Sequence, residues 1–372
     1  MKVRTVGDAP VLPHARWLVG ELRRAWLVLA AVAAIGPLAG DPARAEPTID
    51  WVTVGDPGNA ADTTGYGAVA ESFRIMKYEW TNALYVQYLN AVDPQGTGPN
   101  SIYNSNMGNN AKGGITNTGT VDGSRYTVKA NMGDKPVNFL SWWDVARVAN
   151  WMHNGAQTYA FTDATASAPQ NTGAYTVGTT TFGAPAPAKN PGALFYIPTE
   201  DQWYKAAYYK GSGTSSGYWD YATQSDTAPT AVTADSTGNG SAGSTGNFAN
   251  FNSAAVWNSQ LGNVTTVGTN GGPGAYQTFD MNGNVREWND LTGVSGTNRG
   301  FRGGAWGQNA TFLPSTSRAE PRAQDEDNAF SGFRLASPGV PEIDPAGMGS
   351  VAALLTGALG LLERRRRRAN AA

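Results

Sequence analysis

The chain has 372 residues, of which 46 are glycine and none is cysteine. Without cysteine the protein can form neither a disulfide nor a thiolate nucleophile, so disulfide stabilisation and cysteine catalysis are both excluded. Residues 46–338 contain 16 Lys and Arg against 23 Asp and Glu, a net charge of −7. An acidic domain is repelled by phosphate backbones, and we therefore do not expect nucleic acid as a partner.

Residues 1–45 have the pattern of a secretory signal peptide. Several basic residues precede the apolar run Ala25–Ile35, and the run is followed by Ala43-Arg44-Ala45, which fits a signal-peptidase site. A membrane anchor is the alternative, but Gly36 and Pro37 end the run well short of the ~20 residues that a spanning helix needs. We therefore predict that the protein is exported.

The segment between the two ends, residues 46–338, is predicted to be one irregular α+β domain. Three helices are expected, and each follows a Ser or Thr that can cap it: Thr81, Ser141 and Thr199. Gln202 can complete a capping box with Thr199. Short strands are predicted at Phe73–Tyr78, Leu194–Ile197 and Gly332–Ala336. Residues 154–190 and 211–247 are rich in Gly, Ala, Thr and Ser, so we predict loops there.

The most informative segment is Asp280–Trp288, in which Asp280 and Glu287 flank the sequence Asn-Gly-Asn. Such a sequence favours a tight turn that directs backbone carbonyls to one side. Two carboxylates and several carbonyls suit Ca²⁺, which takes six to eight oxygens at roughly 2.3–2.6 Å. We therefore predict a calcium site here. The alternative is a turn whose carboxylates only cap neighbouring N–H groups.

The C-terminal segment, residues 339–372, has the charge pattern of a membrane-sorting signal. Val340-Pro341-Glu342 precedes the apolar run Ala346–Leu362, and five arginines follow, Arg364–Arg368. This order resembles the PEP-CTERM signal of Gram-negative bacteria. The resemblance implies exosortase-type sorting machinery as a partner and a location in the cell envelope or extracellular matrix. A simple membrane anchor is the alternative, and in both cases the arginines should stay cytoplasmic.

Several motifs resemble the formylglycine-generating enzyme (sulfatase-modifying factor) domain family. Besides Asp280–Trp288 they are Tyr78–Asn82, Pro136–Trp142, Ile197–Trp203, Arg302–Trp306 and Gly332–Leu335. They occur in the family's order, and the resemblance covers nearly all of residues 50–337. It implies a C-type-lectin-like fold with little regular secondary structure, held together by calcium and buried aromatic side chains.

The resemblance also implies the calcium ligands. The first site would use the side chains of Asp280 and Glu287 and the carbonyl oxygens of Gly283 and Val285. A second site would begin with Asn250 and the carbonyl of Phe251. Its later acidic ligand has no clear counterpart in residues 268–275.

The chemistry of the family is not expected in this chain. The family's two copper-binding cysteines fall at Gln308 and Leu313, so copper is not expected. A related branch binds iron through three histidines, but only His153 lies in the domain, so iron is not expected either. An oxidoreductase with an unrecognised metal site is the alternative function. Metal analysis of the purified protein would separate this oxidoreductase from a calcium-stabilised binding or structural module. Calcium alone supports the module, and stoichiometric copper or iron supports the oxidoreductase.

The groove that holds the family's active site is therefore predicted to be a binding surface. In this chain it would present aromatic and amide side chains, namely Trp306, Gln308, Asn309 and Phe312. Rings stack on sugars or peptides, and amides donate and accept hydrogen bonds. Ordinary core and loop positions are the alternative. The leading hypothesis is an exported, surface-sorted, calcium-stabilised binding or structural module.

Overall fold

A computed structural model describes residues 47–96, 102–120, 124–158, 168–179, 184–318, 322–323, 325 and 327–339. These residues all belong to the second of the two units into which the chain divides, residues 46–372. The predicted leader and nearly all of the predicted sorting signal lie outside the described residues. Within the described ranges no helix is long and apolar enough to span a membrane.

The helices of the described residues are α1 (Asn82–Val92), α2 (Asn106–Asn109), α3 (Trp142–His153) and α4 (Glu200–Tyr208). The three predicted helix starts are confirmed, because Thr81, Ser141 and Thr199 are the N-caps of α1, α3 and α4. Both α3 and α4 begin with a complete capping box. The four-residue α2 was not predicted, because one turn is too short to show helical periodicity.

The strands of the described residues are short and form four small sheets. They are β1 (Trp51–Val54), β2 (Phe73–Met76), β3 (Ile115–Asn117), β4 (Tyr126–Val128), β5 (Thr230–Ala231), β6 (Phe248–Ala249), β7 (Arg286–Asn289), β8 (Asn298–Arg302), β9 (Arg322–Ala323), β10 (Ser331–Gly332) and β11 (Ala336–Pro338). Antiparallel pairing gives the order β1-β2-β11, and a mixed sheet has the order β10-β7-β8-β9. The β3–β4 hairpin and the parallel pair β5–β6 complete the set.

Three predictions about the extended and loop segments were wrong in part. In Leu194–Ile197 only Tyr196 pairs, in an isolated bridge to Ala336. The predicted strand Gly332–Ala336 is divided, since the backbone leaves β10 and joins a different sheet as β11. The predicted loop 211–247 contains β5, whose partner β6 follows directly. In each case the pairing depends on the tertiary fold, which local composition does not reveal.

Buried tryptophans fill the space between these short elements. Six of them are almost completely inaccessible to solvent: Trp80, Trp142, Trp143, Trp151, Trp203 and Trp288. Trp80 stacks on Phe333 with ring centroids 5.4 Å apart, which packs the start of α1 against the link between β10 and β11. Each such ring buries a large apolar area. The core therefore depends on aromatic packing between loops more than on layers of regular structure.

Candidate functional site

The predicted calcium segment is a tight turn that leads into β7. Asp280, Gly283 and Asn284 all have positive φ angles, of 57°, 84° and 55°. At Gly283 a Cβ atom would lie 2.2 Å from the carbonyl oxygen of Asn250, so no larger residue fits without moving the backbone. The turn therefore places the segment of Asn250 directly against the segment that contains Asp280.

The carboxylate of Asp280 is half-buried and accepts two hydrogen bonds. The backbone N–H of Gly268 donates to Oδ2 at 2.5 Å, and Nδ2 of Asn270 donates to Oδ1 at 2.9 Å. Burial raises the pKa of the Asp280 carboxyl above its usual range. Asp280 thus caps local N–H groups, as the alternative interpretation of the motif expects.

Glu287, the second predicted carboxylate ligand, is completely buried in an ion pair with Arg334. Nη2 of Arg334 lies 2.6 Å from Oε1 of Glu287, and Nε donates to Oε2 at 2.7 Å. The indole N–H of Trp203 donates to the same Oε2 at 2.8 Å. The carboxylate therefore joins β7, α4 and the link before β11. Such a buried pair is held by its hydrogen bonds as well as by its charge.

A third carboxylate, Glu79, lies next to this pair and was not among the predicted ligands. Its two oxygens accept the backbone N–H of Val285 at 3.0 Å and Nδ2 of Asn284 at 2.7 Å. Burial, with the nearby charges of Asp280 and Glu287, raises the pKa of the Glu79 carboxyl well above its usual range. The carboxylates of Asp280 and Glu287 thus lie close enough to Glu79 to disfavour a negative charge on it. The positive charge of Arg334 acts in the opposite direction.

The donor chemistry fits the predicted calcium set only in part. Each oxygen of Asp280 accepts one N–H and keeps a lone pair for a cation, whereas Oε2 of Glu287 already accepts two N–H groups and Oε1 lies 2.6 Å from the Arg334 guanidinium. A divalent cation would also offset the excess of negative charge beside Arg334. Among the described residues no three acidic or histidine side chains could hold a metal ion. The carbonyls of Gly283 and Val285 would therefore have to complete the site, and calcium at this position stays a prediction.

The first ligands predicted for a second site lie in a buried polar network. Nδ2 of Asn250 donates to the carbonyl of Asn263 and to Oγ1 of Thr265, both at 2.9 Å. Within the described residues Oδ1 of Asn250 accepts no hydrogen bond, so this buried oxygen could serve a cation or a water molecule. Phe251 is buried and packs with Leu313. The second site also stays a prediction.

The predicted groove contains a small pocket between β8 and the segment after the Gly-Gly pair. Its lining residues are Arg286, Phe301, Arg302, Gly303, Gly304, Gln308, Phe312 and Ser317. Two of the four predicted groove residues, Gln308 and Phe312, therefore line the same pocket. Phe312 is 39% exposed. Leu313, by contrast, is completely buried.

The other two predicted groove residues have local structural roles. Trp306 is buried, and its indole N–H donates to the carbonyl of Ala329 at 3.0 Å. The ammonium group of Lys112 lies over its ring, 4.8 Å from the ring centroid. Asn309 caps the 3-10 turn Ala310–Phe312 by accepting the N–H of Thr311 at 3.0 Å. Neither side chain lines the pocket.

Two arginines of the pocket were not singled out by sequence reasoning. Arg302 is held by Glu200, with Nε donating to Oε1 at 2.9 Å, and Nη1 donates to the carbonyls of Ser315 and Ser317. Arg286 is nearly buried, and its guanidinium lies 4.2 Å from the ring centre of Phe301. Both arginines stand inside quoted motifs. Their position within the motifs Asp280–Trp288 and Arg302–Trp306 was the available signal.

A family model for the sulfatase-modifying factor enzyme 1-like domain matches residues 54–338. The chain belongs to this family. Its mixed α+β architecture, with few helices and short strands, is the family's C-type-lectin-like fold, as predicted. No curated protein matches the sequence.

Several solved structures are similar to the chain at low sequence identity. Variable protein 1 of Treponema denticola is 16% identical, with a TM-score of 0.45, over 78% of this chain and 95% of its own. CarF is 21% identical, with a TM-score of 0.45, over 79% of this chain and 99% of its own. PvdO from Pseudomonas aeruginosa is 17% identical, with a TM-score of 0.37, over 78% and 92%.

Proposed function

We propose that this member of the sulfatase-modifying factor family is an exported module that binds a ligand in the groove and does not generate formylglycine. The observation that carries the proposal is the chemistry of two positions, Gln308 and Leu313. By the family motif these residues occupy the places of the two thiols. Gln308 lines the pocket with a carboxamide, and Leu313 is completely buried in apolar surroundings.

The pocket offers recognition groups in place of a nucleophile. The carboxamide of Gln308 can donate and accept hydrogen bonds, and the partly exposed ring of Phe312 provides apolar surface. The chain contains no cysteine that could supply a thiolate. Such a combination of one apolar face and a few fixed polar groups is typical of a binding site. We therefore propose that Gln308 and Phe312 recognise the ligand.

Calcium has a structural role in this proposal. The predicted ligands Asp280 and Glu287 connect the turn before β7 to Trp203, Arg334 and the segment of Gly268. A cation bound there would tie together segments that no disulfide can join. In an exported protein without cysteine, a bound cation can supply the stabilisation that disulfides provide elsewhere.

Export and sorting complete the proposal. The leader, residues 1–45, would direct the chain out of the cytoplasm, and the C-terminal segment would pass it to an exosortase. The domain would then act in the cell envelope or the exopolysaccharide matrix of a Gram-negative bacterium. Ligands available there include carbohydrates and peptides.

The binding proposal is tested by titrating the full-length protein in detergent with defined oligosaccharides and short peptides. We expect at least one class to bind, and we expect Phe312→Ala to weaken that binding severalfold. Leu261→Ala is the matched control, since Leu261 is 76% exposed and does not line the pocket. The proposal would be contradicted if Phe312→Ala left the affinity unchanged, or if no oligosaccharide or peptide of the set bound.

A further inference from the structure

A second cleft lies between residues 69–73 and residues 189–193, and it shares no described lining residue with the pocket in the groove. Its volume of about 480 Å³ falls within the ~300–1,000 Å³ that is usual for a site that holds a whole small molecule. The cleft therefore has room for a ligand. Much of its wall is apolar, formed by Val69, Phe73, Pro191, Ala193 and Pro338.

The ammonium group of Lys189 lies in this cleft over the ring of Tyr196, with Nζ 3.6 Å from the ring centroid. It has no hydrogen-bond acceptor among the described residues. Burial lowers the pKa of this ammonium group, whereas the charges of Asp290 and Glu71 raise it. Asp290 is already paired with Arg299, with 2.8 Å between Oδ1 and Nε. Because an ammonium group has three N–H donors, Lys189 can donate to a bound anion.

The aromatic ring below this lysine is held in place. Tyr196 is buried, and its backbone N–H and carbonyl both pair with Ala336, at 2.9 and 2.7 Å. Nε2 of Gln202 donates to the Tyr196 hydroxyl at 3.2 Å. A cation is attracted to the face of an aromatic ring. The fixed ring therefore gives the positive group a defined position in the cleft before any ligand binds.

Glu71 supplies a negative group from the other chain segment that lines the cleft. Its side chain is exposed and forms no ion pair or hydrogen bond with another described residue. Its charge acts on the Lys189 ammonium group, but the two side chains do not form an ion pair. The amide side chains of Asn190 and Gln202, by contrast, already form hydrogen bonds within the protein. The cleft therefore presents one unpaired charge of each sign.

These two charges disfavour ligands that carry a single charge or none. A simple anion would be repelled by Glu71, and a simple cation would be repelled by Lys189. A neutral ligand would displace water from both charged groups without pairing either of them. A molecule with one carboxylate, one ammonium group and an apolar side chain matches both charges and the apolar wall.

We propose that the cleft binds a small zwitterion with an apolar side chain, with its carboxylate on Lys189, its ammonium group on Glu71 and its side chain against Phe73. Free apolar amino acids and short apolar peptides share this chemistry. The inference does not depend on the proposed function of the groove, because the two sites have no described lining residue in common.

The test compares four probes by calorimetric titration of the full-length protein in detergent. Leucine and leucyl-leucine carry both charges, N-acetylleucine lacks the ammonium group, and leucinamide lacks the carboxylate. We expect one of the two zwitterions to bind at least tenfold more tightly than either singly charged probe, and the tighter zwitterion identifies the source. Equal binding of N-acetylleucine or of leucinamide would overturn the proposal, as would the absence of binding by both zwitterions.

Two variants and a matched control locate the binding. Lys189→Met should weaken binding of the tighter zwitterion at least tenfold, and Glu71→Gln should reduce its affinity to that of N-acetylleucine. Lys129→Met is the control, since Lys129 donates to the carbonyl of Asn110 at 2.9 Å and does not line the cleft. It should change the affinity less than twofold, and equal losses in both lysine variants would overturn the assigned cleft. Binding that Lys189→Met abolishes belongs to the cleft, so the groove is judged on the binding that remains.

Discussion

The carboxylate of Glu287 shows what single residues of the motif do in the folded chain. The spacing in the sequence predicts that Asp280 and Glu287 flank one turn. In the folded chain both residues lie beside that turn. Spacing did not reveal the partners, because Glu79 and Arg334 come from distant parts of the chain. Only the tertiary fold brings Arg334 onto Glu287 and the carboxyl of Glu79 onto Val285.

The turn at Gly283 can be tested with one methyl group. Gly283→Ala should strongly destabilise the protein, because the new Cβ would lie 2.2 Å from the carbonyl oxygen of Asn250 at a φ of 84°. We expect a loss of more than about 3 kcal/mol in the free energy of unfolding, measured by urea denaturation.

Gly293→Ala is the matched control for this variant. Gly293 has a similar φ of 78°, but its Cβ would be 3.6 Å from the nearest atom, Cγ2 of Thr199, which is an ordinary contact. It should lose only about 1–2 kcal/mol, the cost of a left-handed conformation for a non-glycine residue. Equal losses in both variants would mean that the contact with Asn250 is not tight.

At the scale of elements, three of the four helices in the described residues were predictable and most of the strands were not. The starts of α1, α3 and α4 are set by Thr or Ser caps that accept the N–H three residues further along the chain. Strands of two to five residues carry too little alternation to be recognised, and their partners are far away in sequence. The divided segment around Arg334 is the clearest example.

The cap of α3 should make stability depend on pH. Asp144 completes the capping box with Ser141, and its burial raises the pKa of its carboxyl to about 6. Because the folded value exceeds the unfolded value of about 3.9, the folded state holds this proton more tightly. The resulting stability is present below about pH 4 and is lost as pH rises through about 6.

Asp144→Asn removes this titration while keeping an oxygen for the cap. Relative to the variant, the wild-type protein should lose on the order of 3 kcal/mol of unfolding free energy between pH 4 and pH 7, since each pKa unit corresponds to about 1.4 kcal/mol. Urea denaturation of both proteins across this range measures the difference. A difference that does not change with pH would contradict the assignment to Asp144.

At the scale of the whole molecule, calcium should stabilise the fold. A ligand that binds only the native state adds about 2.7 kcal/mol at a hundredfold excess over its Kd. Extracellular modules often bind calcium at roughly 10⁻⁴–10⁻³ M, so millimolar calcium should raise the melting temperature relative to chelator.

Glu287→Gln should abolish most of that calcium-dependent rise. The variant will also melt earlier in chelator, because it weakens the buried pair with Arg334, so the quantity to compare is the rise and not the melting temperature. Magnesium at equal concentration controls for ionic strength. Identical melting curves of the wild-type protein in calcium and in chelator would remove calcium from the proposal.

The C-terminal segment makes a prediction about the mature chain. Arg364–Arg368 should remain cytoplasmic while the domain lies outside, since moving five guanidinium groups across the apolar core of a membrane is very unfavourable. If the segment is a sorting signal, an exosortase should cut near Val340-Pro341-Glu342. Mass spectrometry of the protein from its native host should then find a chain that ends near residue 340. A product that retains the arginines would favour a simple anchor.

The replacement of thiol chemistry by ligand binding is tested most directly by mass spectrometry of a sulfatase-type cysteine peptide. The peptide is incubated with the full-length protein, oxygen and copper, and a metal-free reaction is the control. Since the chain has no cysteine that could act as the nucleophile, the peptide should keep its cysteine in both reactions. Conversion to formylglycine above the metal-free control would contradict the proposed function.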